Sequence, residues 1–180
     1  MVKYYFILMH MRIMDKKRKK KIIILSLIIV VTLAVIWGHS CMSMEDSSEE
    51  SGFFFDLLCP FLELFAGKGN VTEHFIRKMA HFTEFMGLGL ELMLYFRLLM
   101  DIRVPFNMVS AWITGTMCAL IDETIQIFSG RGSMIADVWL DSAGCVTGVF
   151  IMTVGICLYE RKQGRTKKEL PDNTEVSGRI

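Results

Sequence analysis

Proline occurs only three times in 180 residues, and the five cysteines fall at Cys41, Cys59, Cys118, Cys145 and Cys157 with no C-x-x-C spacing. The first scarcity leaves long stretches free to be helical. The second excludes a zinc-ligand pattern and a disulfide framework, so the cysteines read as small apolar packing residues. A glycine-rich phosphate loop, a G-x-S-x-G elbow and an H-E-x-x-H pair are also missing. With them go the commonest signatures of nucleotide, acyl-transfer and zinc-hydrolase chemistry. The net charge is only +1, too small for a nucleic-acid partner. No cofactor and no metal ligand set is expected on these grounds. Charged residues are scarce along most of the chain, while 52% of it is hydrophobic, too much for one small soluble core to hide. Its expected solvent is a bilayer.

A hydrocarbon core of about 30 Å needs roughly 20 mostly apolar residues in a helix. Four stretches qualify: 22–38, 75–100, 106–128 and 135–159. An all-α, polytopic membrane protein with four transmembrane helices follows. The domain plan is a basic cytoplasmic amino terminus (1–21), a first span (22–38), an extracytoplasmic loop (39–74), a three-helix core (75–160) and a cytoplasmic tail (161–180). The block Lys16-Lys17-Arg18-Lys19-Lys20-Lys21 resembles the basic start of a signal peptide read from Met14. Gly38-His39-Ser40 is a poor cleavage site, so retention as a span is expected. In the loop, Phe53-Phe54-Phe55-Asp56-Leu57-Leu58 suits an amphipathic segment lying in the interface.

Basic residues orient the chain. With the amino terminus inside, Lys3, Arg12 and the block at 16–21 are cytoplasmic, as are Arg97, Arg103, Arg161, Lys162, Arg165, Lys167, Lys168 and Arg179. Only Lys68, Arg77, Lys78 and Arg131 are left outside. The positive-inside rule therefore predicts both termini in the cytoplasm of a multi-pass cell-membrane protein.

Ionisable residues inside spans are costly and by default functional. On the second span Arg77, His81, Glu84 and Glu91 fall within about 80° of helix circumference at roughly 100° per residue, with Lys78 beside them. On the third, Asp122, Glu123 and Gln126 share about 100° in the last two turns. Arg131, in Ser129-Gly130-Arg131-Gly132-Ser133, is placed to meet a carboxylate or phosphate. On the fourth, Asp137, Asp141, Gly144, Gly148 and Gly155 lie within about 60° of one line. Gly144 and Gly148 are expected to admit a neighbouring helix. The predicted topology puts Arg77, Lys78, His81, Glu84, Asp122, Glu123, Gln126, Arg131, Asp137 and Asp141 on one outer-leaflet cavity.

The sequences Arg77-Lys78-Met79-Ala80-His81-Phe82-Thr83-Glu84-Phe85, Glu123-Thr124-Ile125-Gln126 with Arg131, and Asp137-Val138-Trp139-Leu140-Asp141-Ser142-Ala143-Gly144 with Gly148 together resemble the VanZ-like family. That family is named for an accessory protein that lowers sensitivity to teicoplanin. Phe85 stands where members often have Tyr, and Asp141 where they often have Asn. The resemblance implies a bacterial cell-envelope membrane protein and a glycopeptide-resistance phenotype. Three readings of the polar residues stay open. One is binding of a lipid headgroup or cell-wall precursor, with membrane lipids as partners. Another is a membrane enzyme acting on a phospholipid or polyprenyl phosphate, with Glu123 or Asp137 as base, His81 as acid and a metal on Glu84, Glu123, Asp137 and Asp141 as a variant. The last is a small transporter or proton pathway. The shortage of catalytic signatures favours the first.

Overall fold

A computed structural model of the chain describes residues 15–41, 72–100, 103–129 and 134–169, with the side chains of Glu73 and of residues 164–169 excepted. The expected interfacial segment, Arg131, the first fourteen residues and the last eleven lie outside the described residues. All regular structure that is described is helical: α1 Lys16–Ser40, α2 Glu73–Leu99, α3 Val104–Phe128 and α4 Ile135–Glu169.

Two helices extend beyond the apolar spans: Lys16–Lys21 forms the first turn and a half of α1, and α4 continues to Glu169. Lysine, arginine and glutamate are good helix formers, so polarity alone does not end a helix that no proline or cap interrupts. The other ends carry local signals. The Thr72 side chain accepts the Phe75 backbone N–H at 3.2 Å, a helix N-cap, and Pro105 occupies the first turn of α3, where its missing N–H is not needed.

The helices run alternately up and down. Arg18 at the start of α1 donates to the Leu98 carbonyl at the end of α2 (2.7 Å), and Ser40 at the end of α1 meets Asp122 at the end of α3. Lys78 near the start of α2 meets Asp137 near the start of α4, while Arg97 and Glu160 meet at the opposite end (2.9 Å). α2 is the innermost helix, burying Phe85, Leu88, Leu92 and Met93, and its broadest contact is with α4. That contact is tight because it is built on glycine. A Cβ on Gly144 would collide with the Phe82 carbonyl, one on Gly148 with the Met86 carbonyl, and one on Gly89 with the backbone of Cys145. Gly155 has nothing within 4 Å of such a Cβ, so the close face expected along α4 stops short of it.

Outward faces stay apolar. Ile23, Leu27, Val30 and Val31 on α1, Phe106 and Ile113 on α3, and Phe150 and Leu158 on α4 are exposed. Such a surface is stable only against lipid. Three helices, α1, α3 and α4, are long and apolar enough to cross a membrane. α2 is long enough but too polar to be a clear span, since Arg77, Lys78, Glu84, Glu91 and Arg97 interrupt it. The expected set of four spans is therefore evident for three.

Candidate functional site

The polar residues of α2, α3 and α4 gather where the end of α1, the start of α2, the end of α3 and the start of α4 meet. Helical spacing explains the convergence. Asp122, Glu123 and Gln126 face inward from the last two turns of α3, and all three are buried. Gln126 ties them together, its amide nitrogen donating to Asp122 Oδ2 at 2.9 Å and to Glu123 Oε1 at 3.3 Å. Ser40, fully buried, donates to Asp122 Oδ1 at 2.7 Å. Both oxygens of Asp122 are thus engaged, as burial of a carboxylate demands.

From α2, His81 brings Nδ1 to 3.8 Å from Asp122 Oδ2. Glu84, three residues on, pairs with His39 of α1 at 2.9 Å. Lys78 reaches across to Asp137 of α4 at 2.6 Å, with 32% and 20% of the two side chains exposed. This pair sits at the margin of the cluster, partly open to its surroundings. Asp141, one turn deeper, is only 1% exposed, and neither carboxylate oxygen has a hydrogen-bond partner among the described residues. Asp122, Glu123, Asp137 and Glu84 all act on it electrostatically. Beside it Ser142 is held by Trp112 Nε1 (3.0 Å) and Thr116 (2.9 Å), a polar link between α3 and α4.

Of the ten residues expected to share a site, the structure brings eight together: Lys78, His81, Glu84, Asp122, Glu123, Gln126, Asp137 and Asp141. Arg77 is different. Its guanidinium hydrogen-bonds His74 at 3.3 Å at the exposed start of α2, and no described contact joins it to the carboxylates. The position on the stripe was right in angle, but a residue one turn nearer the helix end has solvent and headgroups within reach. Arg131 lies outside the described residues. Glu91, on the same stripe as Glu84 but about 10 Å farther along the helix, accepts from Thr32 of α1 at 2.9 Å and belongs to a separate contact.

Sequence reasoning missed His39 and Ser40. A signal existed. Ser40 continues the buried line Ile22, Leu25, Ile29 and Ile36 of α1. Because nearly every position of that helix is apolar, however, the line does not stand out until the packing is known. Asn107 was also missed. It is fully buried near the far end of α3, with neither amide atom hydrogen-bonded to a described residue, and fifteen residues of helix, roughly 22 Å, separate it from the cluster.

Chemically the cluster is rich in acceptors and poor in fixed cations. Among the described residues its lysine is already engaged by Asp137. The general base suggested at Asp137 is thereby committed to an ion pair, and the acid suggested at His81 faces Asp122. A comparison with protein families finds that the VanZ/LLP1 model matches residues 9–157. No curated protein and no solved structure matches. The matched range takes in all of α1, α2 and α3 and most of α4, together with every described residue of the cluster.

Proposed function

The chain belongs to the VanZ/LLP1 family, and from that membership we propose a membrane protein of the bacterial cell envelope that holds a lipid headgroup or lipid-linked cell-wall precursor at its outer-leaflet end. One observation carries this reading. All four helices send polar side chains to one buried cluster, whose margin is a partly exposed Lys78–Asp137 pair.

The chemistry favours a ligand with two kinds of group. Lys78 is the described cation at the margin, and by leaving Asp137 it offers an ammonium to a phosphate. The carboxylates behind it offer acceptors to hydroxyl, amide or ammonium donors. A phosphate-bearing headgroup with sugar hydroxyls or an amine satisfies both. A free carboxylate or phosphate without donors does not, since Asp122, Glu123 and Asp141 would repel it. Sequestering such a molecule, or altering its exposure, supports lowered sensitivity to teicoplanin-type glycopeptides, which act on the same surface.

The test purifies the full chain in native lipid discs and weighs its retained lipids by mass spectrometry. Wild-type protein is expected to keep a phosphate-bearing lipid that Lys78→Met loses. In a sensitised host, Glu123→Gln, Arg131→Ala and Asp137→Asn are expected to remove teicoplanin tolerance at normal membrane abundance. Identical retained lipids in wild type and Lys78→Met, with tolerance unchanged in all three variants, would reject the proposal.

A further inference from the structure

His81, Asp122 and Asp141 come from three different helices, yet one possible ligand atom from each lies within 4.8 Å of the others. We propose that these three side chains form a binding site for a divalent transition-metal ion of the zinc or manganese kind. The site goes beyond headgroup binding and stands whether or not a lipid occupies the margin.

The independent observation is Asp141. A buried carboxylate with both oxygens unsatisfied is among the most costly arrangements in a folded protein. Here it persists at 1% exposure, without a hydrogen-bond donor among the described residues, and in the field of four further carboxylates. Among the described residues, Lys78 is paired with Asp137, and His39 meets Glu84. A divalent ion between Asp141 and Asp122 supplies the missing partner and offsets two negative charges at once.

The donor set selects among ions. One imidazole nitrogen and carboxylate oxygens suit borderline metals better than magnesium or calcium, which prefer all-oxygen shells. Tetrahedral zinc with bonds near 2.0 Å places its ligands about 3.4 Å apart, and His81 Nδ1 to Asp122 Oδ2 is 3.8 Å. For that pair the contraction is a few tenths of an ångström, and the Asp141 oxygen lies within 4.8 Å of both atoms. Asp122 is already oriented for the task, because Ser40 and Gln126 fix its two oxygens at 2.7 and 2.9 Å. Ligands steadied by outer hydrogen bonds are the usual arrangement in metal sites. Three protein ligands leave a coordination position for water or for an oxygen of a bound molecule.

None of the three ligands belongs to a recognisable spacing. His81 and Asp122 lie 41 residues apart in sequence and Asp141 another 19 along, so only packing of α2, α3 and α4 reveals the triad. The α2–α4 contact through Gly144 and Gly148 brings His81 and Asp141 within reach.

The test uses the full chain purified in detergent, stripped with a chelator and titrated with Zn²⁺, Mn²⁺ or Co²⁺. Wild type is expected to take up one equivalent of at least one ion, and cobalt is expected to give the visible bands of a nitrogen- and oxygen-ligated site. Loss of an outer partner typically weakens a site by roughly 10–100-fold, so Asp141→Asn, which removes a direct ligand, should weaken it by at least about a hundredfold. Glu91→Gln, on α2 but outside the triad, should bind as wild type does. Should Asp141→Asn fail to fold, His81→Gln replaces it, and the wild-type cobalt spectrum still reports the ligands. No stoichiometric uptake of any of the three ions by wild type, or equal affinity in the folded triad variants, would overturn the proposal. Lipid retention measured with and without chelator separates this result from the headgroup reading.

Discussion

Lys78 and Asp137 illustrate how a single contact in a bilayer protein is weighted. The pair is short, at 2.6 Å, and half-buried, so it is neither a free surface pair of small worth nor a fully dry one. Breaking it from one side leaves a charge facing the Asp122 cluster or the bilayer edge. Breaking it from both sides removes that penalty. Lys78→Met and Asp137→Asn should therefore each lower resistance to unfolding in detergent by an amount too small to change membrane abundance, while the double variant loses less than the sum. The coupling expected for such contacting residues is about 0.5–3 kcal/mol. A double-mutant cycle on reversible unfolding in detergent reads it, and strictly additive losses would show that the two side chains do not interact. Both residues were recognisable in the sequence, because charges inside an apolar stretch are conspicuous. Their partnership was not, since 59 residues separate them and only three-dimensional placement reveals that Asp137 holds Lys78.

At the scale of helices, the close approach of α2 and α4 depends on atoms that are absent. Gly148 lies so near the Met86 carbonyl and the Leu90 N–H that even a methyl group must push the two backbones apart. Overpacking of this kind costs about 1–3 kcal/mol. Gly155, seven residues later on the same line, meets nothing within 4 Å. Gly148→Ala should lower thermal stability and membrane abundance, and Gly155→Ala should leave both unchanged or slightly raise them. Equal effects at the two positions would refute the packing account. This contrast shows where sequence reading works. The angular alignment of Asp137, Asp141, Gly144 and Gly148 was legible because a period of 3.6 residues is a property of the helix itself. The end of the close glycine approach before Gly155 was not legible, because it depends on the spacing of the two helices in three dimensions. The same holds for α1, whose apolar residues mark a span without marking a face, so Ser40 and His39 emerged only from packing. The polar start of α1 and the extension of α4 lie beyond the apolar spans for a related reason, hydropathy being a measure of solvent preference and not of helix formation.

Across the whole molecule, charge is divided by the bundle. Arg18, Arg97 and Glu160 meet at one end, close to Lys16–Lys21 of α1 and Arg103 before α3. Asp122, Glu123, Asp137 and Asp141 lie at the other. By the positive-inside rule we expect the basic end in the cytoplasm, which would put the carboxylate cluster in the outer leaflet. α2 is 27 residues long, about 40 Å at 1.5 Å per residue, and it packs between α1 and α4 along their length. Two of its interior charges have partners from α1, with Glu84 on His39 and one oxygen of Glu91 on Thr32, so part of the polarity that disqualifies it as an isolated span is met within the bundle. We therefore expect α2 to cross with the other three, returning the carboxyl terminus to the side of the amino terminus. Labelling decides this with single cysteines placed by Ser47→Cys or Thr166→Cys in a chain whose own five cysteines are replaced. An impermeant thiol reagent applied to intact cells should reach position 47, and position 166 only after the membrane is opened. Reaction at both positions in intact cells would mean three crossings, leaving α2 out of the bilayer and the helix alternation of the bundle unexplained. Reaction at 166 alone would invert the protein and place Lys78, Asp137 and the buried carboxylates in the inner leaflet, where their ligand would have to be sought among cytoplasmic precursors.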